Sequence, residues 1–202
     1  MNDEQFNDYT PIDSVPEETV SVRSHPHDDS SGFGRWLLET IVMVAIAFLL
    51  AQGIKTFVVQ PYVIPTGSME PTILIGDRVL AEKITYHFRE PEPGEIVVFD
   101  DPTGRHPQLI KRIIAVEGQT LDIADGRVVV DGEVLDEPYI DGVQTDVGTE
   151  MLPVTIPEGE IWVMGDNRPN SGDSRFLGSQ PVAGVRGRAF ATYWPLDRIG
   201  GL

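Results

Sequence analysis

Trp36-Leu-Leu-Glu-Thr-Ile-Val-Met-Val-Ala-Ile-Ala-Phe-Leu-Leu-Ala-Gln-Gly-Ile-Lys-Thr-Phe57 separates two parts of the chain that follow different rules. Its uncharged run, Thr40 to Ile54, is 15 residues, short for a membrane span taken alone. Counted from Trp36 to Phe57 the stretch is 22 residues, or about 33 Å of helix at ~1.5 Å per residue. Glu39 and Lys55 sit near its ends, where long side chains snorkel to the interface. We therefore expect a transmembrane helix over residues 35–57. The competing readings are a buried core helix and a cleavable signal. The small-x-small triplet Ala45-Ile46-Ala47 lies inside the apolar run rather than after it, which favours a retained helix. Arg23 and Arg35 precede the helix and Lys55 follows it, so orientation is weakly encoded, and a cytoplasmic N-terminus is the expectation.

Upstream, residues 1–34 hold eight carboxylates and one cation, Arg23. Such a segment cannot bury enough apolar surface to offset its chain entropy, and a disordered acidic tail is expected. Downstream the pattern changes to period two. Candidate strands run over 57–64, 78–83, 95–99, 109–117, 127–135, 160–164 and 187–194. Asp131-Gly132 between two valine-rich runs is a two-residue hairpin signal. No second long helical pattern follows. The fold class is therefore mainly β: an antiparallel catalytic domain over residues 58–202, with a small inserted β lobe near 119–158, on a single N-terminal transmembrane helix.

The whole chain has 202 residues, 41% hydrophobic, and a formal net charge of −17. That sign excludes a general nucleic-acid binder, because a phosphate backbone would repel it. With no cysteine, thiol nucleophiles, disulfides and Cys-ligated metals are excluded together. The part beyond the helix carries 12 cations and 23 carboxylates, so it would stay soluble beside an anionic bilayer. The histidines, His25, His27, His87 and His106, form no metal-ligand pair outside the tail. His87 and His106 lie in Pro-flanked loops and read as exposed loop residues rather than as the base of a Ser-His-Asp triad. Gly172-Asp173-Ser174 has a superficial likeness to a trypsin-like serine site, but Arg175 and Phe176 follow it where glycines would be needed.

Three segments remain as carriers of chemistry. Pro65-Thr66-Gly67-Ser68-Met69-Glu70-Pro71-Thr72 would present Ser68 on a turn that Gly67 lets approach a substrate closely. A serine in such a turn is most often structural, and as a nucleophile it needs a base. Leu109-Ile-Lys-Arg-Ile-Ile-Ala-Val116 offers one. Strand alternation puts Leu109, Lys111, Ile113 and Ala115 on one face and Ile110, Arg112, Ile114 and Val116 on the other. Aliphatic neighbours would lower the Lys111 pKa by desolvation, whereas Arg112 stays protonated and cannot serve. The bland alternative is a lysine that snorkels to water. The third segment, 165–178, reads either as an Asx-turn loop or as a polar wall that orients the amine.

Taken together and in order, these segments resemble type I signal peptidases, membrane-bound Ser/Lys proteases that remove signal peptides from exported preproteins. The resemblance rests on Ser68-Met69-Glu70-Pro71-Thr72, Gly76-Asp77-Arg78-Val79, Lys111-Arg112-Ile113-Ile114-Ala115, Gly165-Asp166-Asn167-Arg168, Asn170-Ser171-Gly172-Asp173-Ser174-Arg175, and Gly187-Arg188 before Tyr193-Trp194-Pro195. It implies that Ser68 is the nucleophile and neutral Lys111 the general base. It implies further that the Ser68 amide and Thr66 hydroxyl form the oxyanion hole, and that Ser171 orients the lysine. Asp166, Asp173 and Arg175 would support that wall by ion pairing. Ile64, Met69 and Ile110 would line small pockets for Ala-x-Ala-like residues.

No cofactor and no metal is implied. The implied partners are exported preproteins and the lipid bilayer, with the translocation channel a candidate and nucleic acid none. The implied location is the cell membrane, single-pass, with the catalytic domain extracytoplasmic. Chain length agrees: from Lys55 to Ser68 the chain reaches at most about 43 Å at ~3.3 Å per residue, so the serine would work near the bilayer. Two other classes stay in view. A self-cleaving Ser/Lys repressor would carry a basic DNA-binding domain where this chain has an acidic tail. A catalytically silent β module would have no use for both Ser68 and Lys111.

Overall fold

The computed structural model describes residues 30–202, so the acidic tail expected over 1–34 lies outside the described residues up to Asp29. The first element, α1 (Ser30–Phe57), begins earlier than expected, and an Arg35–Glu39 pair one turn apart lies in its opening turns. Within it, Phe33–Gly53 has a mean hydropathy of 1.9 with none of its most apolar window buried in the protein. A helix apolar all round and uncovered is long and greasy enough to cross a membrane.

The β region follows in chain order as β1 (Val59–Val63), β2 (Arg78–Glu82), β3 (Ile96–Asp100), β4 (Gln108–Val116), β5 (Thr120–Ala124), β6 (Arg127–Val130) and β7 (Glu133–Val134). Then come β8 (Val154–Thr155), β9 (Glu160–Met164), the short helix α2 (Ser174–Leu177), β10 (Gln180–Pro181), β11 (Val185–Trp194) and β12 (Gly200–Gly201). The main sheet runs β1-β2-β11-β3-β4-β9-β10, with β12 paired to β11; a second sheet runs β7-β6-β5-β8. All described pairings are antiparallel.

The central strands of the main sheet are buried on both faces, which is why they read as nearly continuous apolar runs. On β3, Ile96 and Val98 join a cluster with Ile64, Met69, Val79 and Ile110. Val97 and Phe99 face the other way, into a cluster with Ile113 and Val163. The second sheet packs its own cluster, Leu121, Ile123, Val128 and Ile156, against Trp162 and Met164 of β9.

One sequence expectation changes here and another is met. The face assignment on β4 holds only as far as Ile113: the pairing with β9 slips between Ile113 and Ala115. Such a bulge reverses the alternation beyond it. Val116 accordingly joins Leu109 and Ile113 in one cluster, while Ala115 joins Ile114 in another. The hairpin signalled by Asp131-Gly132 within 127–135 is formed: β6 and β7 are joined at Asp131 (φ 54°) and Gly132 (φ 85°). Both residues are left-handed, as a primed hairpin turn requires. β5 was missed, although its Thr-Leu-Asp-Ile alternation and the flanking Gly118 and Gly126 encode it.

Candidate active site

The turn after β1 is pinned before it presents anything. Ile64 donates its N–H to the Asp77 carbonyl (2.9 Å) and accepts from Gly76 N–H (2.8 Å). The Asp77 carboxylate accepts from Leu74 N–H (2.8 Å) and from Arg198 Nη2 (3.0 Å). From the other side, Asn167 donates its N–H to the Ser68 carbonyl (3.1 Å) and its Nδ2 to the Gly67 carbonyl (2.9 Å). Ser68 is thus held at both ends of its peptide and is 7% exposed.

Lys111, on the half of β4 before the bulge, places Nζ 2.6 Å from Ser68 Oγ and donates to the Ile110 carbonyl at 3.0 Å. The residue is 2% exposed. Burial drives its pKa down to about 8, helped by Arg175 and opposed by the attraction of Asp173 and Asp166. An amine so placed is a base near neutral pH and an alcohol lies within its reach.

Behind the amine stands a wall formed by the loop after β9. Gly165 has its N–H bound by Asp173 Oδ2 (3.0 Å) and its carbonyl by Arg168 Nε (3.1 Å). A Cβ at Gly165 would lie 2.3 Å from Ser171 Oγ and 2.4 Å from the Ser68 carbonyl oxygen, so only glycine fits this approach. Asp166 is chelated by Arg112, through Nε at 2.9 Å and Nη2 at 2.7 Å, and accepts from Thr72 Oγ1 at 2.5 Å. Asp173 accepts from Arg175 Nε at 2.8 Å and Nη2 at 2.9 Å. These bidentate pairs are charge-assisted and rigid.

The serine and lysine open onto a cleft of about 470 Å³ lined by Tyr62, Val63, Pro65, Thr66, Ile110 and Leu177, and at its far side by the loop Asp101–Pro107. Along that cleft β4 has a free edge. β3 pairs with β4 from Gln108 onward, whereas β9 pairs with it only from Arg112 onward, which leaves Gln108 to Lys111 with backbone groups unused on one side.

Comparison with known proteins shows the family of the chain. The sequence model described as "Signal peptidase, peptidase S26" matches residues 37–194. The chain belongs to the signal peptidase family, peptidase S26. A probable signal peptidase I-2 from Synechocystis is 41% identical over 194 residues, covering 93% of this chain and 84% of the relative. A signal peptidase I from Mycobacterium tuberculosis is 34% identical over 254 residues, covering 97% and 86%. A crystallised signal peptidase I from Enterococcus faecalis is 30% identical, covers 49% of this chain and 96% of its own, and superposes with a TM-score of 0.44.

Within this signal peptidase the expected residues are distributed as follows. Ser68 and Lys111 meet. Thr66 lines the cleft with them. Asp166, Asp173 and Arg175 form the wall, with Asp166 paired to Arg112. Ser171 is 9% exposed and adjoins Gly165, yet its Oγ has no hydrogen-bond partner among the described residues, so the implied bond to Lys111 is not formed in this structure. Of the expected pocket residues, Ile110 lines the cleft, while Ile64 and Met69 are packed with it in the core. The side chains that displace them from the lining are Val63, Pro65 and Leu177. His106, read as a plain loop residue, also borders the cleft. Sequence reasoning assigned no role to Arg112, Asn167 or Arg168. The signal available was the burial of cations among aliphatic residues in a chain otherwise rich in acid, since a buried guanidinium needs a carboxylate.

Proposed function

We propose that this signal peptidase cleaves exported preproteins after small, Ala-x-Ala-like residues, with Ser68 as nucleophile and neutral Lys111 as general base. The observation that carries the reading is the 2.6 Å approach of a 2%-exposed lysine amine to the serine hydroxyl. A neutral amine has one lone pair and two N–H groups. The lone pair would take the Ser68 proton as Oγ attacks the scissile carbonyl; one N–H is occupied by the Ile110 carbonyl. The unpaired Ser171 hydroxyl would accept from the remaining N–H. The acyl-enzyme would form as the protonated lysine gives its proton to the leaving amine. Water, deprotonated by the same amine, would then release the acid. The Ser68 N–H donates to no acceptor among the described residues, and with the Thr66 hydroxyl it would stabilise the oxyanion.

The free edge of β4 at Gln108 to Lys111 would take the substrate as an extended strand through main-chain pairing. Ile110, Val63 and Pro65, which line the cleft, would meet the small side chains of the substrate. α1 would anchor the enzyme in the cell membrane, N-terminus cytoplasmic and residues 58–202 extracytoplasmic, with lipid and the translocation channel as its neighbours. Purified full-length protein is expected to cleave a preprotein at its small-residue site, and Ser68→Ala and Lys111→Met each to abolish cleavage with the fold retained. Activity should drop about tenfold per pH unit below the lysine midpoint near 8. Cleavage that survives Lys111→Met would reject the base.

A further inference from the structure

The small lobe supplies no residue to the chemistry above, yet the segment between β7 and β8 reaches the wall behind Lys111. The three arginines of that wall are buried, Arg112 at 8%, Arg168 at 1% and Arg175 at 0% exposure. Each is shared with the lobe. Arg112, paired to Asp166, stacks its guanidinium 4.0 Å from the ring centre of Tyr139. Arg175, paired to Asp173, also binds Asp146, and its carbonyl accepts from Thr149 and Glu150 N–H at 2.9 and 3.1 Å.

Arg168 differs from the other two. Among the described residues its carboxylate partner is Glu137 of the lobe, whose Oε2 accepts from Nη1 at 3.1 Å. Thr145 Oγ1 accepts from the same nitrogen at 2.5 Å. Thr145 N–H is in turn tied to the Gly126 carbonyl, in the β5–β6 turn, at 2.8 Å. A buried guanidinium keeps its place only while its countercharge is present. The third function of Arg168 is its Nε bond to the Gly165 carbonyl. Gly165 is the residue whose backbone abuts both the Ser68 carbonyl and the Ser171 hydroxyl. A continuous line of contacts thus runs from the lobe, through Arg168 and Gly165, to the Ser68 carbonyl and the Ser171 side chain.

We propose that Glu137 and Thr145 are positioning residues for the catalytic pair, acting through Arg168, so that the small lobe sets turnover rather than substrate capture. The proposal rests on the Ser68/Lys111 reading. The test uses the full-length, membrane-anchored enzyme and compares Glu137→Gln, Thr145→Val and Thr145→Ser by preprotein cleavage across pH, with circular dichroism and urea unfolding to establish folding. For Glu137→Gln and Thr145→Val, kcat should fall about tenfold or more with KM within about twofold, because small misplacements of reacting groups are costly in rate. The rising limb of the pH profile should move to higher pH as water reaches the amine, and Thr145→Ser should restore wild-type behaviour. Wild-type kcat and pH limb in a folded Glu137→Gln, a loss confined to KM, or a Thr145→Ser as impaired as Thr145→Val would each overturn the proposal. If Glu137→Gln does not fold, Thr145→Val decides alone, since it leaves the ion pair in place. Inactive Ser68→Ala and Lys111→Met beside a fully active Glu137→Gln would sink the strap and spare the dyad. Activity in the first two would sink the dyad itself.

Discussion

The proposed mechanism requires Lys111 to be buried and yet usable as a base, and its burial has a measurable cost. Its pKa falls from 10.5 to about 8, so below pH 8 the folded protein carries a charge that the unfolded chain would solvate better. The penalty is on the order of 3 kcal/mol. It is fully present below the folded value and disappears as pH rises through the unfolded one. Lys111→Met is therefore expected to be more stable than wild type in urea at pH 7, with the difference shrinking between pH 8 and 10.5; equal stability at all pH values would show that burial does not strain the amine. Ser171 poses a related question, since its hydroxyl is buried and unpaired. If it captures the free N–H of neutral Lys111 during turnover, Ser171→Ala should lower kcat by roughly 10- to 100-fold, in the range of a lost positioning hydrogen bond, and leave KM alone. Ser68 and Lys111 were legible as candidates because they sit in recognisable local contexts, and the structure brings them within 2.6 Å of each other. The pairing of Arg112 with Asp166, 54 residues apart, was not, because no local pattern says which carboxylate reaches a given guanidinium.

At the scale of elements, β4 and the loop after β9 do most of the positioning. β4 is paired on one side throughout and on the other only from Arg112, so the same strand is framework at one end and a free edge at the other. Strand periodicity located it, as it located β2, β3, β9 and β11, because half or more of each strand alternates or is continuously apolar. It could not reveal the bulge at Ile113 to Ala115, which depends on how β9 registers against β4 rather than on residue type. Of the pocket residues read from the resemblance, Ile110 borders the cleft while Ile64 and Met69 pack beside it in the core. The loop after β9 makes its own prediction. Gly165→Ala would drive a methyl into the Ser68 carbonyl and the Ser171 hydroxyl, neither free to retreat. It should destabilise by about 1–3 kcal/mol and lower cleavage at least a hundredfold. An active, stable Gly165→Ala would mean that the wall and the serine turn are not in rigid contact.

For the whole molecule, the division into an apolar helix and a β-rich domain followed directly from composition, and the helix's extension to Ser30 did not, since glycine and serine there gave no helical signal. A retained anchor with the domain outside predicts that protease added to intact cells or right-side-out vesicles removes residues beyond 58, while inside-out vesicles protect them. The reverse pattern would invert the proposed topology. The network that joins the small lobe to the wall suggests that the β region works as one mechanical unit around one amine, and that amine can be observed directly. The chain contains only three lysines, Lys55, Lys83 and Lys111, so NMR titration of selectively 13C-labelled lysine in the full-length protein can be assigned with Lys111→Met alone. The Lys111 signal is expected to titrate near pH 8; a Lys111 signal that titrates near the 10.5 of a solvated amine would contradict the mechanism.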